Sequence, residues 1–134
     1  MKVLIDANVL FDVVEKRQPH YAASNQILCL ARRKTLEAAL ASHTVANLFY
    51  FYGRECLPFL RDRLLDHVAV VAADAYEVKQ VLAAGFTDLE DALQSAAAEA
   101  WRASFIVTRN VKDFKASRVP ALLPSDFIRR FVRS

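Results

Sequence analysis

Val3-Leu4-Ile5-Asp6-Ala7-Asn8-Val9-Leu10 is the stretch that decides the fold. Three large apolar residues in a row read as a strand covered on both faces, because a half-exposed strand would alternate with polar residues. The run stops at a carboxylate, Asp6, and the apolar spacing then changes to that of a helix. A strand over 1–5 and a helix over 7–15 open a β–α unit. Asp6 at that junction is a common helix N-cap or the first ligand of a site, and position alone does not separate the two.

The same alternation repeats outward from this unit. The apolar period predicts helices over 20–34, 42–52, 57–66, 75–84, 88–103 and 125–131. Ser42 is expected to cap the second of these and Gly53 to stop it. Pro58 falls in a first turn, where its missing amide is tolerated, and Asp74 and Gly85 bracket 75–84. Strands are predicted over 36–41, 68–71, 104–107 and, at an edge, 119–122. Strands separated by helices imply an open, mostly parallel α/β sheet with helices on both faces. In such sheets the working cleft lies beyond the carboxyl ends of the strands. That rule selects Asp6 after the first strand, His43 and Asn47 after the second, and Thr108-Arg109-Asn110 after the fourth.

Composition narrows the class. The 134 residues are 54% hydrophobic and 25% charged, with two glycines and four prolines, which describes one globular domain over 1–134 without a floppy linker. The first helix begins too close to Met1 for a signal peptide, and no apolar run approaches the ~20 residues that span a bilayer. A soluble cytoplasmic protein is expected. Cys29 and Cys56 lack CxxC spacing and read as buried thiols in a reducing compartment; with only His20, His43 and His67 beside them, zinc is set aside. The formal charge is +3. Basic clusters at Arg32-Arg33-Lys34, at Arg54, Arg61 and Arg63, and at Arg118, Arg129, Arg130 and Arg133 can follow a phosphate backbone or be ordinary solvated faces.

Asp6 needs a second acid before a metal is credible, and Asp88 and Asp91 offer one. They open an alanine-rich helix whose apolar stripe is Leu89, Ala92, Leu93, Ala96 and Ala100. At about 100° per residue, residues three apart lie close on the wheel and can lean into one cavity. First-turn acids are also favoured by the helix dipole. Asp88 fits an N-cap, Asp91 is the better ligand, and Glu90 points to solvent. Carboxylates sharing a pocket repel unless a cation neutralises them. All-oxygen ligands suit Mg2+ or Mn2+, which promote attack of water on a phosphodiester. No GxxxxGK[ST] or GxGxxG is present, which argues against nucleotide use.

Four motifs in order resemble the PIN-domain family, and within it the VapC-type toxins and their relatives. They are the opening stretch, Ser42-His43-Thr44-Val45-Ala46-Asn47-Leu48, Asp88-Leu89-Glu90-Asp91-Ala92-Leu93-Gln94, and Phe105-Ile106-Val107-Thr108-Arg109-Asn110-Val111-Lys112-Asp113-Phe114. The resemblance implies a metal-dependent endoribonuclease, a homodimer and a cognate antitoxin protein. It puts the first acid at Asp6 and a further one at Asp91. The family's usual glutamate on the third helix is Asn47 here, and its fourth position is Asn110, with Asp113 three residues on. Asn47 still offers a carbonyl oxygen but removes a negative charge; Asp88 restores it if turned inward. The preference for RNA over DNA rests on the resemblance.

Around these, Asn8 is expected to orient Asp6 and Thr108 to hydrogen-bond it or merely end the strand. Arg109 reaches a phosphate or lies in solvent. His43 contacts substrate or is structural. Asp12 is expected on a solvated face. Phe49, Tyr50, Phe51 and Tyr52 are expected in the core or on a dimer surface rather than as a base-stacking platform, and Trp101 in the core. A degenerate PIN domain that binds RNA or a protein without cutting is the alternative that Asn47 raises.

Overall fold

The computed structural model describes residues 1–132, so Arg133 of the terminal basic cluster lies outside the described residues. Five parallel strands form one sheet in the order β3-β2-β1-β4-β5. They are β1 (Lys2–Ile5), β2 (Glu37–Ala41), β3 (Val68–Val71), β4 (Phe105–Val107) and β5 (Ala121–Leu122). The helices are α1 (Ala7–Glu15), α2 (Tyr21–Arg32), α3 (Ser42–Tyr52), α4 (Ala75–Leu82), α5 (Leu89–Trp101) and α6 (Pro124–Phe131). This is the open parallel sheet that the opening stretch implies.

Alternation along β1 sends neighbouring side chains to opposite faces. Val3 and Ile5 pack with Val9, Leu10, Ile27, Leu48 and Phe127, so α1, α2, α3 and α6 share one face. Leu4 points the other way, onto Ala97, Ala98 and Ile106. Each such large side chain gains roughly 1.5–3 kcal/mol from burial. Ala96, Ala97 and Ala98 are fully covered, and methyl-sized side chains let α5 lie close against the sheet. Ala92 and Ala96 meet Val81 of α4 on the outer side.

β1 lies between β2 and β4, with Val3 in register with Ala38 on one side and Phe105 on the other. The chain leaves β1 toward β2 and reaches β4 only later, so the order reverses between β1 and β4. Side chains beyond those two ends face an open crevice. The backbone N–H of Asp6 donates to Val107 O at 3.0 Å, which ties the strand ends together where the crevice begins.

Several local expectations change. Ser42 is the first helical residue of α3, with Ala41 as the cap residue and no side-chain cap bond. Gly53, at φ +64°, does stop that helix. In place of the regular helix expected over 57–66 stands a π-helical turn, Phe59–Leu64, reached through a 3₁₀ turn, Gly53–Cys56. The wide turn closes with Leu65 N donating to Leu60 O, and it buries both Leu60 and Leu64. The last strand shortens to Ala121–Leu122 because Pro120 has no amide to give the sheet. Trp101 is half-buried under Lys2 Nζ rather than in the core. Phe49, Tyr50 and Phe51 are exposed, which overturns the core reading for them; Phe51 and Tyr52 pack edge-on against Phe11 of α1. Both cysteines are free.

Candidate active site

Asp6 begins α1 as its N-cap, and its carboxylate is the most thoroughly held group at the crevice. Oδ1 accepts from Ala7 N at 2.7 Å and from Gln94 Nε2 at 3.0 Å. Oδ2 accepts from Thr108 Oγ1 at 2.7 Å and from Asn8 Nδ2 at 3.4 Å. The N-cap and ligand readings therefore concern the same atom, since one oxygen caps the helix while both are oriented by side chains from distant segments. Asp6 is nearly buried. Burial pushes its pKa above the ordinary 3.8, while the bonds from Thr108 and Ala7 and the nearby His43 pull it back.

Thr108, fully buried after β4, is the hub of this arrangement. Besides donating to Asp6, its hydroxyl accepts from Asn8 Nδ2 at 3.3 Å and from Asn110 N at 3.0 Å. Asn8 Oδ1 in turn accepts from Arg109 N at 3.2 Å. The end of β4 is thus locked onto the start of α1.

Asp91 lies in the first turn of α5, and Asp88 is the N-cap of that helix. Asp88 Oδ1 accepts from Asp91 N at 3.1 Å, so the capping reading describes its geometry. Asp91 itself has no hydrogen-bonded partner for its carboxylate among the described residues. Burial, then the charges of Asp88, Asp6, Asp113 and Glu90, push it up to about 7. Asp6, Asp91 and Asp113 thus stand in one another's field. Asp113 reaches it because the 3₁₀ turn Val111–Phe114, anchored by buried Phe114, doubles the chain back after Asn110. Asn110 is exposed, and only its backbone is seen to bond.

Asn47 is half-buried one turn after His43 on α3, and no side-chain hydrogen bond holds it among the described residues. His43 is half-buried; burial lowers its pKa, the charges of Glu90 and Asp6 oppose that, and its Nε2 has no partner among the described residues.

Two further residues brace the site, Gln94, which sequence reasoning passed over, and Asp12, which it placed in solvent. Gln94, buried on α5 one turn after Asp91, bridges Asp6 Oδ1 and Thr44 Oγ1, both at 3.0 Å. It fastens α5 to α3 and to the start of α1. The signal was its place in the Asp88–Gln94 motif, three residues past Asp91 and hence on the same side of the helix. Asp12 was expected in solvent and is wholly buried instead. Its Oδ2 accepts from Arg109 Nε at 2.7 Å and from Ser24 Oγ at 3.3 Å. Asp12 falls between Val9, Leu10 and Val13 on the buried face of α1, so the helical period placed it inward, but its partner lies far along the chain.

The donor set is all oxygen, and its mutual repulsion is of the kind that a hard divalent cation relieves. Among the described residues no three His, Cys, Asp or Glu side chains converge closely enough to cage an ion by themselves.

A family model described as PIN domain matches residues 2–112. No curated protein matches the chain. Among solved structures, the crystal structure of VapBC2 from Rickettsia felis bound to a DNA fragment from their promoter has a similar chain, with a TM-score of 0.70 and 19% identity. The alignment covers 92% of this chain and 98% of that one; at that identity the likeness speaks for the fold. Since the matched model takes in the sheet from β1 to β4 and both acids at its rim, the chain belongs to the PIN domain family.

Proposed function

We propose that the chain, as one domain over residues 1–134, is a VapC-type endoribonuclease that hydrolyses RNA with magnesium or manganese. The observation that carries this reading is the meeting of Asp6 and Asp91, from opposite halves of the chain, at the carboxyl rim of a parallel sheet. PIN domains are typically nucleases, which accords with it. Asp91 and Asp6 would hold the ion, with Asp113 adding charge from the third side. When bound, such an ion acidifies water and neutralises charge on a phosphodiester. Thr108, Asn8 and Gln94 orient the Asp6 carboxylate, and Asp88 orients the first turn that carries Asp91. Asn47 and Asn110 are the neutral positions of the set, able to bond a water or a phosphate oxygen.

The toxin role, a cognate antitoxin, a homodimer and a cytoplasmic location belong to the same proposal. Likeness to a VapBC2 chain favours the partner. No described helix is long and apolar enough to cross a membrane.

A specific observation favours the second reading, a PIN domain that binds without cutting. A carboxylate offers about four lone-pair sites, and Asp6 already accepts four hydrogen bonds. An ion at Asp6 must displace one donor, and Asn47 does not supply the missing charge. Cleavage of labelled RNA with added manganese separates the two. Asp6→Asn and Asp91→Asn should each lower the rate by about a hundredfold or more. Equal rates in the wild type and both variants would end the enzyme reading.

A further inference from the structure

Arg109 is fixed more firmly than an arginine on a loop needs to be. Asn8 holds its backbone N–H, and its Nε lies 2.7 Å from Asp12 Oδ2, with Asp12 wholly buried. An arginine meets a carboxylate most strongly through two parallel N–H bonds. Here only Nε is used. Asp12 Oδ1 is buried without a partner among the described residues, and neither terminal nitrogen of Arg109 bonds any of them. The side chain is 25% exposed, so its terminal nitrogens are the part left for another molecule.

Two cavities meet at this side chain. One, of about 290 Å³, runs past His20, Ser24 and Ser125. The other, of about 470 Å³, runs past Asn110, Lys112 and Asp113. The second cavity joins Asp113, which shares the field of Asp6 and Asp91, to Arg109, with Lys112 and Asp126 on its wall. A polyanion laid along this cavity from Asp113 meets Lys112 and the Arg109 guanidinium.

We propose that Arg109, anchored on Asp12 through Nε alone, docks a phosphate of the RNA strand adjoining the one that is cut. The identity of the ligand rests on the nuclease reading, but the docking itself requires no cleavage. Asp12 is a positioning residue: buried, it never reaches the RNA, yet it fixes the plane of the fork. Bulk electrostatics and positioning predict opposite results for Asp12→Asn. Removing a negative charge should tighten RNA binding, whereas releasing the guanidinium should weaken it.

Equilibrium binding of a labelled single-stranded RNA, measured in EDTA over a range of salt, tests this. Arg109→Lys keeps the charge but not the fork, and binding should weaken about tenfold with an unchanged salt slope. Asp12→Asn should weaken it similarly despite the added positive charge. The double variant Asp12→Asn/Arg109→Gln keeps the net charge and leaves no lone buried ion to unfold the protein. It should reduce the slope of log K against log salt by about 0.7, one phosphate contact on a single strand. If Asp12→Asn does not melt cooperatively, the other two variants decide. Unchanged affinity and slope, tighter binding by Asp12→Asn, or a wild type that does not bind RNA would each overturn the proposal. Loss of cleavage by the wild type with these binding shifts intact would remove the nuclease reading and leave the docking point standing.

Discussion

Asp6 and Asp91 are the same side chain in opposite surroundings. Asp6 is nearly buried and accepts four hydrogen bonds. Asp91 is half-buried, has no donor, and stands among the charges of Asp88, Asp6, Asp113 and Glu90. The protein surrounds the first with donors, which offset part of the cost of burial, and gives the second almost none. Asp6 is thereby a fixed reference point, and Asp91 is the group whose state an added cation changes most.

That contrast can be broken from the Asp6 side first. Thr108→Val keeps the shape but removes the 2.7 Å donor from a buried carboxylate and the acceptor of Asn110 N. We expect a loss of about 2 kcal/mol in urea unfolding. A variant as stable as the wild type would mean that water replaces the hydroxyl and that Asp6 is less enclosed than described.

The Asp91 side predicts a smaller effect with a pH signature. Unfolded, Asp91 ionises near its ordinary 3.8; folded, it does so at about 7. Between those values the unfolded chain has lost a proton that the folded chain keeps, so stability falls as pH rises through the window and stays low above it. Asp91→Asn should therefore stabilise the metal-free protein at pH 8 by about 1 kcal/mol after allowance for solvent screening. The gain should vanish toward pH 4. Manganese should raise the melting temperature of the wild type at pH 8 and do little for Asp91→Asn. A gain independent of pH would sever the link to repulsion.

The smallest effect tests Asp88, which serves Asp91 as a cap and burdens it as a charge. Asp88→Ala removes the bond to Asp91 N and should cost about 0.5–1 kcal/mol at pH 4. At pH 8 part of that loss should be offset, because one of the charges acting on Asp91 is gone. An equal cost at both pH values, by thermal melting, would show that Asp88 acts only on the backbone.

The fold was legible because its signals are local. Val3-Leu4-Ile5 followed by a helical period specifies a buried strand and its crossover, and the repeat of that unit specifies a parallel sheet. Asp91 was legible for the same reason, as an acid beside an apolar stripe. Asp12 was misread because a lone acid on a short helix looks solvated unless its counter-ion is known, and Arg109 arrives only with β4. Gln94 was overlooked because an amide carries no charge to mark it, although its two bonds join three helices. For Phe49, Tyr50 and Phe51 the sequence left core and dimer surface open, and the structure removes the core for these three. Composition says that aromatic residues prefer the interior, but only the assembled fold shows that Tyr52 packs against the core while these three face outward.

The alanines of α5 have a consequence for the chemistry. Ala97 and Ala98 rest on Leu4 and Ile106, and the same rigid rod carries Asp91 and Gln94 at its other end. Side-chain bulk beneath the rod therefore gauges how far apart the two acids stand. A larger side chain at Ala97 or Ala98 would widen that gap without touching either acid.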